Sequence, residues 1–210
     1  MSEPRHPALF PAIDLRRGRC VRLEQGAAER ETMYDPNPLR RAAAFVAAGA
    51  EWIHVVDLDA AFGDGSNREL IARLAAESGA RIQTGGGLRS REDLEEVLAG
   101  DIARVVIGTA AIENPELVEQ AVERWGSERI VVGLDARGTT LAIRGWKEET
   151  QADLFDLGIR FGERGVRTLL YTDISRDGML AGPNLPMSIE LSQLSGADVL
   201  VSGGVGSIED

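Results

Sequence analysis

Short apolar runs rich in valine and isoleucine alternate along the chain with longer stretches whose apolar residues recur at helical spacing. The runs predict strands at "LFPAID" (9–14), "WIHVVDL" (52–58), "RIQT" (81–84), "ARVVIG" (103–108), "IVVGLD" (130–135), "RTLLYTD" (167–173) and "DVLVSG" (198–203). Strands that alternate with amphipathic helices are the pattern of successive βα units on a parallel sheet. Glycine punctuates the helical stretches. Gly49, Gly79, Gly100, Gly126, Gly165 and Gly196 each stand between a helical pattern and the next strand, where a left-handed residue closes a helix. Helix starts are marked by "SNRE" from Ser66, "SRED" from Ser90 and "SIED" from Ser207, all of capping-box form, and by Asn114 followed by Pro115.

Two glycine tracts interrupt this rhythm, "QTGGGLRS" (83–90) and "VSGGVGS" (201–207), and each runs from an apolar strand into a helix cap. Glycine at that density costs conformational entropy, so the main chain there must turn sharply or approach something closely. The tracts also set a repeat: Ser90 and Ser207 are 117 residues apart, Asp57 and Asp173 are 116 apart, and Asp14 and Asp135 are 121 apart. The reading is α/β, a single (β/α)8 TIM-barrel domain over residues 1–210, built from half-barrels at about 1–125 and 126–210. On this register residues 91 to about 122 have no second-half counterpart. The eighth βα unit is therefore expected to be missing, with bare edges on the first and seventh strands.

Barrels of this kind place their chemistry at the C-terminal ends of the strands. Asp14 and Asp135 end the first and fifth strands, opposite each other in an eight-strand ring, where one can act as acid and one as base. A lone aspartate there more often caps a turn; the symmetric pair points to catalysis. Backbone N–H groups freed by the glycine tracts would hold phosphate without lysine. The first cradle is read as Gly85, Gly86 and Gly87 with Gly108 and Thr109 of "IGTAA". The second is Gly203 and Gly204 with Asp177 and Gly178 of "RDG". His54, in mid-strand, reads as a packed core residue and not as a base.

Composition narrows the function. A net charge of −11 argues against nucleic acid and anionic membranes as partners. One cysteine, Cys20, and two histidines leave neither an internal disulfide nor the usual zinc ligands, so a metal-free chain from a reducing compartment is expected. "MSEPRHPALF" has no apolar signal core and no run is long enough to cross a bilayer, which gives a cytoplasmic expectation. Lys147 is the only lysine and lies outside the strands, which disfavours Schiff-base chemistry with a barrel lysine.

In this order, "PAIDLRRGRCVRLEQG", "HVVDLD", "TGGGLRS", "GLDARG", "RGW", "YTDISRDG" and "SGGVGS" resemble the phosphoribosylformimino-5-aminoimidazole carboxamide ribotide isomerase family of histidine biosynthesis, across the whole chain. The related cyclase subunit of imidazole glycerol phosphate synthase shares the half-barrel repeat and both aspartates, but "PAIDL" and "VRLEQG" favour the isomerase. The resemblance implies an Amadori rearrangement, aminoaldose to aminoketose, on a small molecule with a phosphate at each end and without a cofactor. It implies that Asp14 takes the proton from ribose C2 of the opened Schiff base. Asp135 would protonate the ring oxygen, with Asp177 the second candidate. Thr172 would position the sugar, while Arg22 and the segment holding Arg144 and Trp146 would cover the substrate, Trp146 stacking on the imidazole. Two alternatives remain: an isomerase that also accepts phosphoribosyl anthranilate, and a non-catalytic barrel fragment. A monomer is expected.

Overall fold

The computed structural model of the protein describes residues 8–24, 27–207 and 210. Residues 25–26 of the "VRLEQG" segment and residues 208–209 of the last proposed capping box lie outside that description. The chain opens with β1 (Ala12–Arg16), β2 (Arg19–Glu24), β3 (Ala27–Asp35), α1 (Pro38–Ala47) and β4 (Trp52–Asp57). It continues through α2 (Leu58–Phe62), α3 (Arg68–Glu77), β5 (Arg81–Gly85), α4 (Arg91–Leu98), β6 (Arg104–Ile107), α5 (Thr109–Glu113) and α6 (Pro115–Trp125). The remainder is β7 (Ile130–Arg137), β8 (Thr140–Ile143), β9 (Glu148–Asp153), α7 (Leu154–Glu163), β10 (Thr168–Asp173), α8 (Leu185–Ser195) and β11 (Asp198–Ser202).

Seven parallel strands lie side by side in the order β1, β4, β5, β6, β7, β10, β11, each near the position expected from its apolar run. All seven contribute to one cavity, through Ala12, His54, Gly85, Val106, Gly133, Leu170 and Ser202. A sheet whose successive strands face a common interior must curl on itself. The outer face is apolar. Leu15, Ile53, Ile82, Ile107, Val132 and Tyr171 pack into one core with Ala42, Leu74, Leu94, Val118, Phe161 and Leu191 from the helices.

The expected bare edge of the first strand is a point of correction. From Asp14 to Arg16, β1 pairs antiparallel with β2, which pairs with β3, so a hairpin covers that part of the edge. A second hairpin, β8 with β9, extends β7 in the same way. Its strand β9 reads EETQAD, and no strongly apolar residue marks it in the sequence. β11 pairs only with β10 among the described residues.

The helix ends correct the reading in detail. Gly49, Gly79, Gly126, Gly165 and Gly196 have positive φ, whereas Gly100 does not and follows Ala99, which is still right-handed. The box at Ser90 forms with Asp93. The one expected from Ser66 does not, because Asn67 is the cap residue and its amide is committed to Asp57 and Asp59 at 2.8 and 2.9 Å. Asn114 also makes no side-chain cap bond.

Candidate active site at the strand C-termini

Alternation along the strands decides which side chains enter the interior. In β1, Ile13 and Leu15 are buried outward against the helices, so Ala12 and Asp14 face inward. In β7, Val132, Leu134 and Ala136 are buried outward and leave Gly133 and Asp135 inside. Thr172 of β10 is in register with Asp135. The resulting cavity has a volume of about 270 Å³.

Of the residues singled out in the sequence, Asp14, Asp135, Asp177, Thr172, Arg22, Gly85, Gly86, Gly87, Gly108, Thr109 and Trp146 line this cavity. Arg144, Gly178, Gly203 and Gly204 do not. The Arg144 guanidinium is taken up by Glu113 at 2.9 Å and Glu148 at 3.1 Å, while its backbone N–H donates to Thr109 Oγ1 at 3.0 Å. Gly178 is an exposed turn residue with φ 76°. Gly203 and Gly204 are buried behind the rim, where added Cβ atoms would lie 2.5 Å from the Asp173 carbonyl oxygen and 2.3 Å from that of Gly182.

The same constraint explains the first glycine tract. A Cβ on Gly86 would lie 2.2 Å from the Asp57 carbonyl oxygen, and one on Gly87 would lie 2.5 Å from Ala60 Cβ. Each tract therefore crosses the main chain after the neighbouring strand, and only a bare backbone fits. The anchors repeat as well. Asp57 accepts from the Asn67 amide at 2.8 Å and Asp173 from the Asn184 amide at 2.8 Å.

The helix that follows the first tract is not an open anion seat. Asp93 accepts from the N–H groups of Arg89 and Ser90, each at 3.0 Å, and Ser90 Oγ accepts from Asp93 N–H at 3.2 Å. The start of α5 is different: its cap residue, Gly108, makes no side-chain cap bond, and Gly108 and Thr109 face the cavity.

Burial pushes the Asp14 carboxyl up to about 6; nearby Arg22 opposes the rise and Asp177 adds to it. Burial also raises Asp135, against hydrogen bonds from Trp146 and Thr172. The indole Nε1–H of Trp146 donates to Asp135 Oδ2 at 2.9 Å. Arg22 reaches across the mouth to Asp177, Nη2 to Oδ1 at 2.9 Å. Two half-buried carboxylates, one near neutrality and one held by donors, over a floor open to a small molecule, can move protons on a bound sugar. Among the described residues, no cluster of three or more His, Cys, Asp or Glu side chains could hold a metal, and no helix is long and apolar enough to cross a membrane.

Sequence reasoning misread one residue. His54 is not enclosed in the apolar core: it lines the cavity floor. Ile53 and Val55 are fully buried on the other face of β4, so strand parity alone assigned His54 to the interior. Phe62 was missed too. It lines the cavity and lies where a Cβ on Gly145 would approach its ring to 2.8 Å, which fixes the turn carrying Trp146.

A curled parallel sheet that presents paired carboxylates and bare backbone to one cavity at its strand C-termini defines a barrel-type α/β protein with a small-molecule site. The chain belongs to the histidine biosynthesis protein family, whose sequence profile matches residues 8–210. It is 49% identical over 203 residues to a 1-(5-phosphoribosyl)-5-((5-phosphoribosylamino)methylideneamino) imidazole-4-carboxamide isomerase of Desulfitobacterium hafniense, covering 96% of this chain and 81% of the relative. The Moorella thermoacetica protein of the same name is 46% identical over 203 residues, covering 96% and 83%. That of Deinococcus radiodurans is 43% identical over 204 residues, covering 97% and 86%.

Proposed function

We propose that the protein is an aldose–ketose isomerase that carries out the Amadori rearrangement named in these relatives, on a substrate with a phosphate at each end. Asp14 is the base at ribose C2. Its carboxyl titrates near 6 and accepts no hydrogen bond from any described residue, which leaves its lone pairs for the substrate proton. Asp135 protonates the ring oxygen to open the sugar, with Asp177 as the second candidate donor. Loss of the C2 proton gives an enaminol, and protonation at C1 leaves the ketone at C2; the substrate's own amine supplies the electron sink and no cofactor is consumed.

Gly86, Gly87, Gly108 and Thr109 form the first phosphate cradle, supported by the uncapped start of α5 beside the glycine tract. Gly203 and Gly204 shape the second indirectly, by holding the rim that Ser202 presents to the cavity. Gly178 and Arg144 belong to the loops around the mouth, and Arg22 and Trp146 lie over the bound sugar.

The finer architecture belongs to the same reading: one domain, two half-barrels, and an eighth βα position at the seam between β1 and β11. The repeated hairpins, Asp–Asn anchors and glycine crossings support it. A monomer in the cytoplasm completes the reading, resting on the lone cysteine and the acidic charge.

The observation that carries this reading is that Asp14 and Asp135, distant in sequence, line one cavity. The names of the relatives describe a single isomerase activity, so neither the anthranilate-accepting nor the non-catalytic alternative gains support. The test is incubation of the purified protein with the aminoaldose bisphosphate and chromatography of the products. Formation of the aminoketose is expected; its absence, with substrate intact, overturns the reading.

A further inference from the structure

The cavity floor holds a hydrogen-bond chain that the proton transfers above leave unused. His54, Gln83 and Arg104 stand in register on β4, β5 and β6. Arg104 Nε–H donates to Gln83 Oε1 at 2.6 Å, and Gln83 Nε2 lies 2.9 Å from His54 Nδ1. A guanidinium can only donate, so the amide oxygen faces Arg104 and the amide N–H faces the ring. Nδ1 must then accept, and a neutral imidazole carries its proton on Nε2. Burial, reinforced by the Arg104 charge, holds His54 near 4, so the ring is neutral at pH 7.

Arg104 is itself fixed. Its guanidinium lies 4.4 Å from the Trp52 ring centroid and 5.0 Å from that of Phe10, and its Nη2 is buried without a hydrogen-bond partner. Glu128 is the described carboxylate whose charge acts on it, and Arg81 adds a second positive charge nearby. A half-buried guanidinium is a costly packing element, since aliphatic side chains fill such space without desolvating a charge. One layer above, Asp14 pairs with Val56 as Ala12 pairs with His54, and His54 lines one cavity with Ala12, Asp14, Gly85 and Gly133, the two glycines leaving room for the Val106 side chain.

We propose that Arg104 and Gln83 are positioning residues that lock His54 as its Nε2–H tautomer, which donates from the floor of the cavity to an oxygen of the reacting sugar. The substrate in this statement rests on the isomerase reading above.

The chain has two histidines, so 15N-labelled imidazoles give a spectrum with few resonances to assign. The protonated nitrogen of His54 is expected to be Nε2. Gln83→Glu should reverse the tautomer, because a carboxylate accepts from Nδ1–H, and should lower kcat/KM about tenfold. His54→Gln, which keeps an N–H near the Nε2 position, should retain several-fold more activity than His54→Leu. An Nδ1–H tautomer in the unaltered protein overturns the relay, as does His54→Leu with unchanged kcat/KM. Should Gln83→Glu fail to fold, the wild-type spectrum and the two His54 variants decide without it. Absence of turnover in the unaltered protein would instead sink the isomerase reading and the substrate-facing role of His54 with it. Full turnover with a reversed tautomer sinks only the relay.

Discussion

Asp14 and Asp135 each face the cavity near the end of a strand that a hairpin extends. Their surroundings differ. Asp135 receives the Trp146 indole N–H and the Thr172 hydroxyl, while Asp14 receives no hydrogen bond from a described residue and lies near an Arg22 already paired with Asp177. Two similar strand ends thus deliver two carboxylates, and unequal donors make one free to accept a proton and the other fixed in orientation. The glycine crossings divide in the same manner. Gly86 and Gly87 line the cavity, whereas Gly203 and Gly204 lie behind it, where one backbone closely approaches another.

The comparison breaks most readily at Asp14. Asp14→Asn is expected to lower kcat by about 10²–10⁴ with little change in KM, as for loss of a general base; steady-state turnover near the wild-type value would take the base role from it. In the second half, Asp135→Asn should cost about 10²-fold and Asp177→Asn about tenfold. Measured kcat values in the opposite order would assign the proton donor to the Arg22-paired carboxylate.

The glycine crossings offer a test of structural equivalence. Gly86→Ala and Gly203→Ala should each destabilise the protein by about 2–4 kcal/mol in urea unfolding, since both place a Cβ within 2.5 Å of a carbonyl oxygen at positive φ. A large cost in one and none in the other would mean that the crossings are not counterparts. Gly108→Ala meets no atom within 4 Å and should cost under about 1 kcal/mol, yet raise KM by obstructing the start of α5.

Asp14 also separates stability from activity. Its carboxyl titrates near 6 when folded against 3.8 as a free side chain, so the folded state holds the proton more tightly. Stability should therefore fall as pH rises from about 3.8 to 6, with the full penalty present above 6. Asp14→Asn removes that penalty, stabilising the protein at pH 8 by at most about 3 kcal/mol and raising Tm by several degrees. Scanning calorimetry at pH 8 checks it, and an unchanged or lowered Tm contradicts a strained carboxylate. The same titration predicts that kcat/KM in the wild type rises with pH through about 6.

Much of the fold was legible in local pattern. Seven apolar runs became seven parallel strands, because the outer face of each needs a continuous apolar surface for the helices. The glycine stops held where a left-handed residue was needed. β3 and β9 escaped because the outer strand of a rim hairpin buries little, and EETQAD has no apolar alternation to betray it, whereas β2 and β8 bury Val21, Leu23, Leu141 and Ile143 but hold too few apolar positions to stand out. The site was legible where repetition reinforced it, as with Asp14 and Asp135, and illegible where a side chain's direction depended on a neighbour. Arg144 has Glu113 and Glu148 beside its exposed guanidinium, an arrangement that no local pattern in the chain shows.

By itself, then, the sequence determined where the seven parallel strands lie and which polar residues stand at their ends, since these follow from spacing and side-chain type. Only the tertiary structure decided that Gln83 and Arg104 set the tautomer of His54, and that one aspartate is free while its counterpart is held. Those outcomes depend on which groups from distant segments come within about 3 Å, and hydrogen bonds and burial act at that range without leaving a periodic trace in the chain.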